Sequence, residues 1–222
     1  PLNKLKPSDV RRMLGRWRDD GVSPNTIRLR HITLDKVLRT AVSDGILSSN
    51  VMDNVKRPSA GEPRVVQIDE DKLDAALELL GDAWRPMILL TAATGMRRGE
   101  VCGLRWGDIN LESGEIIITR QLTGDLEYRP PKGKKARRVP LGDEAVEMLR
   151  RHRLRELEVG LMRGYAVDDT TPVFTSDKLD GAVVRPASLQ QAWARACRKV
   201  GLEHTRIHDL RHRAIWLMQD RG

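Results

Sequence analysis

The sequence has few cysteines and no long apolar segment, and each shortage excludes a class of protein. Its 222 residues contain two cysteines, Cys102 and Cys197, which cannot build the disulfide framework of a small secreted domain. No run of about 18 consecutive apolar residues is present, so the sequence predicts no transmembrane helix and no membrane partner. These shortages favour a cytoplasmic protein.

Motifs for metal and nucleotide chemistry are also missing. The chain has neither a G-x-x-x-x-G-K loop nor the paired carboxylates of two-metal phosphodiester cleavage. His208 and His212 have the four-residue spacing of a zinc pair, but no third ligand cluster accompanies them. The sequence therefore predicts no metal site and no cofactor. A metal-dependent nuclease is a weaker alternative, and its cleavage would stop in EDTA.

Positive charge is abundant, and most of it comes from arginine. The chain carries 39 lysines and arginines against 31 acidic residues, a net charge of +8, and 29 of the 39 cations are arginine. The planar guanidinium binds two phosphate oxygens at once and stays charged at every useful pH. This composition is typical of a nucleic-acid partner, and a genome rich in arginine codons explains it equally well.

The pattern of residues divides the chain into two parts. Residues 1–56 show helical periodicity, with Ser23 as an N-cap and Pro24 in the first turn. Residues 57–66 are rich in proline, glycine and charge, which predicts a linker. Residues 67–222 mix helices with β-branched runs. The strands are expected in one three-stranded antiparallel sheet, at 116–118, 126–128 and 137–141, and the longer helices at 143–163 and 186–200.

A first candidate site lies at Thr94–Glu100. The glycine at position 95 interrupts a helical pattern and places Arg97 at the start of the next helix, where Glu100 follows one turn later. A guanidinium held by a carboxylate is suited to stabilising a negatively charged transition state. A surface ion pair at a helix start is the other interpretation, and local spacing alone favours it.

Two further segments carry candidate phosphate ligands. Six of the ten residues from Arg129 to Arg138 are cationic and lie on a predicted hairpin, which favours phosphate contact over a solvated tip. His208 and Arg211 are three residues apart on a predicted helix and could reach one phosphate together. Alone, this second pair is better explained by a structural histidine and arginine.

Taken in this order, the three segments resemble the tyrosine recombinases, the phage-type integrases. The specific similarities are Ala93–Glu100 with Leu104–Ile109, and His208–His212. The resemblance implies a mainly α fold with a small three-stranded antiparallel sheet (α+β). Residues 1–56 would be part of a helical core-binding domain, and 67–222 a catalytic domain.

The resemblance also implies a role for each matching residue. Arg97 and Arg211 would clamp the scissile phosphate, with Glu100 in support of Arg97. Lys132 would protonate the leaving 5′ oxygen, and His208 would assist proton transfer. In this family a tyrosine attacks the phosphate and forms a 3′-phosphotyrosyl bond, which conserves the bond energy without metal or ATP.

The sequence departs from the family pattern in its last residues. The family places its tyrosine several tens of residues after the second arginine, whereas this sequence stops at Gly222, and Tyr128 and Tyr165 do not match that position. Arg213 stands where a small hydroxyl residue is common. We therefore expect a chain truncated before the nucleophile, which binds DNA without cleaving it. A non-catalytic DNA-binding regulator of the same fold is the main alternative, and a type IB topoisomerase a weaker one.

The remaining expectations concern partners. The partner is double-stranded DNA in a bacterial cell, at the nucleoid, and the source is a phage or another mobile element. The complete protein would act as a tetramer on DNA, possible accessory partners are DNA-bending proteins, and these 222 residues alone would be monomeric. Residues expected to contact DNA outside the active site are Asn25, Thr26, Arg30, Lys134, Lys135 and Arg137.

Overall fold

The computed structural model describes residues 2–61, 68–131, 133, 135–176, 182–203 and 205–220, with the side chains of 212 and 215–220 left out. The chain forms two compact units, Pro1–Val65 and Val66–Gly222. Their boundary falls inside the predicted linker 57–66, of which residues 62–66 lie outside the described part. None of the helices in the described ranges is both long and apolar enough to cross a lipid bilayer.

All regular secondary structure in the described residues of the first unit is helical, as its periodicity predicts. Helix α1 spans Pro7–Asp19 and α2 spans Pro24–Ser43, with short 3-10 helices before and after them. The predicted N-cap is confirmed, because the Ser23 hydroxyl accepts a hydrogen bond from the Thr26 amide at 3.3 Å. A small apolar core joins the helices, and it consists of Val10, Leu14, Ile27, Leu38, Met52 and Val55.

The second unit contains six α-helices within its described residues, in agreement with the predicted helical stretches. Asp69 caps the first of them through the Lys72 amide at 3.2 Å. Helix α4 packs against α8 and α6, and apolar side chains from all these helices and the sheet share one core. The helices are α3 (Glu70–Glu78), α4 (Gly81–Thr94), α5 (Arg98–Cys102), α6 (Asp143–Arg163), α7 (Pro186–Lys199) and α8 (Ile207–Asp220).

A three-stranded antiparallel sheet is present, but one of its predicted strands was wrong. The sheet joins β1 (Ile109–Asn110), β2 (Glu115–Ile118) and β5 (Arg137–Pro140) in that order. The predicted strand 126–128 is replaced by β4 (Tyr128–Arg129), which pairs with β3 (Gln121–Leu122) in a separate hairpin.

The physical reason for this difference is a turn at the end of β3. Leu126 has a left-handed backbone with φ of 62°, and its amide donates to the Thr123 carbonyl at 3.1 Å. A residue in that conformation cannot continue a strand. The chain therefore folds back on β3, and β2 pairs with β5, so that Arg137 lies opposite Ile118.

Candidate functional site

Arg97 occupies the junction between α4 and α5. Helix α4 ends at Thr94, and Gly95 takes a left-handed conformation with φ of 63° that closes the helix. The chain then extends at Arg97 and re-enters a helix at Arg98. The predicted glycine break is thus confirmed, and it leaves the Arg97 side chain partly exposed, at 35%.

Glu100 holds this junction through four hydrogen bonds. Its carboxylate accepts the Arg97 amide at 2.7 Å and Arg97 Nη1 at 2.9 Å. It also accepts Arg137 Nη1 at 2.8 Å and Nη2 at 2.6 Å. The side chain is 0% exposed, so the ion pair with Arg97 is not the surface pair of the alternative interpretation.

The ionisation of Glu100 follows from these contacts. Burial on its own would raise the pKa of the carboxyl, but hydrogen bonds from Arg137 and from Arg97 outweigh it. The pKa of Glu100 therefore lies below its ordinary value, and the carboxylate is charged at neutral pH.

Helix α8 brings Arg211 to the same place. Arg211 Nη1 donates a hydrogen bond to the Gly95 carbonyl, which the left-handed turn at the end of α4 leaves outside the helix. Burial lowers the pKa of Arg211 from its ordinary value, and repulsion by Arg97 and Arg137 lowers it further, while Glu100 acts in the opposite direction. Arg211 therefore lies among like charges that the single carboxylate only partly compensates.

Two neighbouring clefts share Arg97 and Arg211. The first has a volume of about 280 Å³ and includes His208, and the second has about 390 Å³ and includes Lys135 and Arg137. The first cleft is lined by Met96, Arg97, Arg98, Gln190, Arg206, Ile207, His208 and Arg211. The second is lined by Arg97, Gly133, Lys135, Ala136, Arg137 and Arg211.

The charge of this site is strongly positive. Three guanidiniums, those of Arg97, Arg137 and Arg211, lie near one carboxylate, so this arginine cluster has a net charge of +2. Partly desolvated cations in excess attract an anion that accepts several charge-assisted hydrogen bonds. A phosphodiester, with its two non-bridging oxygens, fits that requirement.

The structure brings together four of the five residues predicted for the active site. Arg97, His208 and Arg211 line the first cleft, and Glu100 holds Arg97 from behind it through a hydrogen bond. Lys132 lies outside the described residues. Arg213, two residues beyond Arg211, binds Glu70 at 2.7 Å and 3.1 Å.

The residues predicted to contact DNA are found in different surroundings. Lys135 lines the second cleft, Arg137 is bound to Glu100, and Lys134 lies outside the described residues.

The other three residues predicted to contact DNA, Asn25, Thr26 and Arg30, belong to α2 of the first unit. There the Thr26 hydroxyl is 2.8 Å from that of Ser23, and Arg30 stacks on Trp17 with 4.9 Å from guanidinium carbon to ring centroid. Contact of these six residues with DNA stays a prediction.

Three residues that sequence reasoning missed also line the first cleft. Arg98 lies inside the first motif and Arg206 two residues before the second, so both were within reach of a local signal. Gln190 lies on α7, far from either motif in sequence. Only the packing of α7 in the second unit brings it to the cleft, and no local pattern indicates that.

The buried carboxylate predicts a specific pH dependence. A depressed folded pKa means that Glu100 stabilises the chain fully above the unfolded pKa, near 4.5, and loses this effect as pH falls through the folded value. The wild type should therefore exceed Glu100→Gln in free energy of unfolding at neutral pH. Urea unfolding followed by circular dichroism should show the difference shrinking only below about pH 4.5.

Glu78→Gln is the control for this comparison. Glu78 is an exposed partner of Arg85, and such pairs contribute little. A difference between wild type and Glu100→Gln that stays constant into the acid range would contradict the assignment of Glu100 as a charged, buried group.

Comparison with known proteins gives a consistent result. The model of the phage integrase family matches residues 67–222. Tyrosine recombinase XerC of Proteus mirabilis is 30% identical over 226 residues, covering 98% of this chain and 67% of that protein. A XerC-like tyrosine recombinase of Caldanaerobacter subterraneus subsp. tengcongensis is 26% identical over all of this chain. The chain spans 62% of the length of that relative.

Solved structures with this fold include integrases on DNA. The Tn1549 transposon integrase in complex with transposon right end DNA superimposes with a TM-score of 0.77 at 22% identity, over all of this chain and 75% of that chain. A lambda integrase tetramer bound to a Holliday junction gives a TM-score of 0.71 at 19% identity, over all of this chain and 62% of that chain. These likenesses confirm the mainly helical fold with its small antiparallel sheet.

Proposed function

Because the chain belongs to the phage integrase family, we propose that it is the phosphate-binding core of a tyrosine-type, site-specific DNA recombinase. Such an enzyme cleaves and rejoins duplex DNA through a 3′-phosphotyrosyl intermediate. The observation that carries the proposal is the convergence of Arg97, His208 and Arg211 on one cleft within a cluster of net positive charge.

The geometry suits stabilisation of a phosphoryl-transfer transition state. Attack on a phosphodiester places additional negative charge on the non-bridging oxygens, and fixed guanidiniums stabilise that charge without reorganisation. Arg97 is held by Glu100, and Arg211 by the Gly95 carbonyl, so both are oriented before DNA binds. In this proposal His208 moves or shares a proton at the phosphate, and Lys132 protonates the leaving 5′ oxygen.

In this proposal the nucleophile is neither of the two tyrosines of these 222 residues. Neither tyrosine is among the described residues that line the two clefts. Tyr128 lies on β4, where Arg105 stacks on its ring at 4.7 Å from guanidinium carbon to centroid, and Tyr165 follows the end of α6. We infer that these residues bind DNA and do not cleave it.

A covalent-capture assay tests that inference. The chain is incubated with end-labelled duplex DNA, denatured and run on a gel, and we expect no protein–DNA adduct. An adduct formed by these 222 residues would overturn the assignment of the nucleophile to a residue outside them. Nicking that stops in EDTA would instead support the metal-dependent nuclease.

A DNA-binding regulator of the same fold is the second candidate function. The positions of the two tyrosines away from the clefts favour it. A version of the protein that continues past Gly222 decides between the two functions. Covalent capture through a tyrosine of the added segment supports the recombinase, whereas tight binding without capture supports the regulator.

Lys135 provides a test of phosphate contact along the basic hairpin. It lines the second cleft, and each phosphate-bound cation releases about one counterion when DNA binds. Lys135→Ala should therefore lower the slope of log affinity against log salt by about one, as measured by fluorescence anisotropy. Lys72→Ala is the control, because Lys72 pairs with Asp69 on α3. Equal slopes for wild type and Lys135→Ala would remove Lys135 from the interface.

The proposed assembly follows from the proposed activity. The complete protein would act as a tetramer on two DNA duplexes at the nucleoid of a bacterial cell, with DNA-bending proteins as accessory partners. The 222-residue chain alone should be monomeric. Light scattering of the free chain checks the last statement.

A further inference from the structure

Arg137 has an unexpected place in the site. The basic hairpin predicts that its guanidinium faces DNA, but both of its terminal nitrogens donate to the Glu100 carboxylate, at 2.8 Å and 2.6 Å. The side chain is 35% exposed and the carboxylate is fully buried. The two-nitrogen edge that would bind a phosphate is therefore already occupied by a carboxylate.

Glu100 is shared between Arg137 and Arg97. Each carboxylate oxygen accepts one bond from each arginine residue: Oε1 from the two Nη1 atoms, and Oε2 from the Arg97 amide and Arg137 Nη2. Removal of Arg137 would leave the carboxylate with half of its hydrogen bonds. A buried carboxylate with fewer partners takes up a proton more readily.

The contact also joins two separate elements of the second unit. Arg137 is the first residue of β5, at the C-terminal end of the basic segment 129–138, and lies opposite Ile118. Glu100 lies on α5, 37 residues earlier in the chain. The ion pair thus fixes the C-terminal end of the hairpin to the helix whose first turn carries Arg97.

We propose that Arg137 is a positioning residue, which fixes Glu100 through paired hydrogen bonds so that Glu100 orients Arg97 toward the phosphate. The proposal rests on the proposed function, because Arg97 needs orienting only if it binds phosphate. A direct phosphate contact by the same edge of Arg137 would break two short bonds to a buried charge. Such charge-assisted bonds are among the stronger ones in proteins.

The side-chain signal of Arg97 in a ¹⁵N NMR spectrum tests this role. The charged groups that face Glu100 are Arg97 beside it, Arg137 on β5 and Arg211 on α8. In the wild type the Arg97 Nη1–H signal, from the group bound to Glu100, should keep its ion-paired position until pH falls through the lowered pKa of Glu100. In Arg137→Gln it should move to the position of a free guanidinium at a higher pH than in the wild type.

Two further variants make this test specific. Glu100→Gln should show the free Arg97 signal at every pH, and the double variant Glu100→Gln/Arg137→Gln should match it, because Arg137 acts through Glu100. Arg120→Gln is the control, since it breaks a similar ion pair with Asp108 (2.7 Å) elsewhere in the unit. It should leave the Arg97 signal unchanged, whatever its effect on stability.

The outcomes separate this proposal from the proposed function. An Arg97 signal in Arg137→Gln that follows the wild type at every pH would overturn the positioning role. A double variant that differs from Glu100→Gln would overturn it as well. The proposed function has its own readout, since it fails if Arg97→Gln and Arg211→Gln each bind duplex DNA as tightly as the wild type.

Discussion

Replacing Arg211 with glutamine should weaken binding of duplex DNA by about ten- to a hundredfold. A hydrogen bond to a charged group contributes about 1.5–3 kcal/mol, which corresponds to that range of affinity. Arg211 is partly buried, is already fixed by the Gly95 carbonyl, and lies beside Arg97 in both clefts. Its guanidinium therefore needs little ordering when a phosphate binds. Fluorescence anisotropy with labelled duplex at fixed salt measures the effect.

Arg213→Gln is the matched control for this prediction. Arg213 lies on the same helix and carries the same charge, but its guanidinium binds Glu70, and it lines neither cleft within the described residues. Its loss should change affinity by only a small factor. Equal losses in the two variants would mean that DNA responds to the total charge of α8, and that Arg211 has no special contact.

A second large effect is expected from Gly103→Ala, this time on stability. A Cβ atom at position 103 would lie 2.9 Å from the Leu122 nitrogen, 3.1 Å from the Gly99 oxygen and 3.2 Å from the Gln121 carbonyl carbon. All three are backbone atoms, so no side chain can turn away. Overpacking of this kind costs about 2 kcal/mol, which lowers the melting temperature by roughly 4–8 °C for a domain of this size.

Gly124→Ala separates this contact from a general effect of alanine. Gly124 lies in the turn after β3, and a Cβ atom there would meet nothing within 4 Å. The free energy of unfolding of Gly124→Ala should stay within about 0.5 kcal/mol of that of the wild type. Scanning calorimetry on both variants decides the matter, and a Gly103→Ala chain as stable as Gly124→Ala would show that α5 does not lie tightly on β3.

Local features of this chain are those that sequence reasoning predicts well. The cap at Ser23 follows from a side chain that bonds the amide three residues ahead. The Arg97–Glu100 pair follows from the three-residue spacing of neighbours on one helix turn. In each case the interacting groups are close in sequence, so the local residue pattern is enough to predict the contact.

Contacts between distant segments were predicted less well. The bond from Arg137 to Glu100 spans 37 residues, and it depends on the pairing of β2 with β5 rather than on any local spacing. The wrong strand at 126–128 has a related cause. β5 takes the place beside β2, and the chain turns at Leu126, which the β-branched runs of the sequence do not reveal. The convergence of Arg97 and Arg211 was predicted from the family resemblance alone, because the two residues come together only when α4 packs on α8.

A structure of this chain bound to duplex DNA is the most direct test of the central claim, that Arg97 and Arg211 hold a single phosphate. The account predicts one backbone phosphate within hydrogen-bond distance of both guanidiniums and of His208, with Arg137 still bound to Glu100. A complex in which DNA lies on other surfaces, and in which no phosphate touches Arg97 or Arg211, would contradict it.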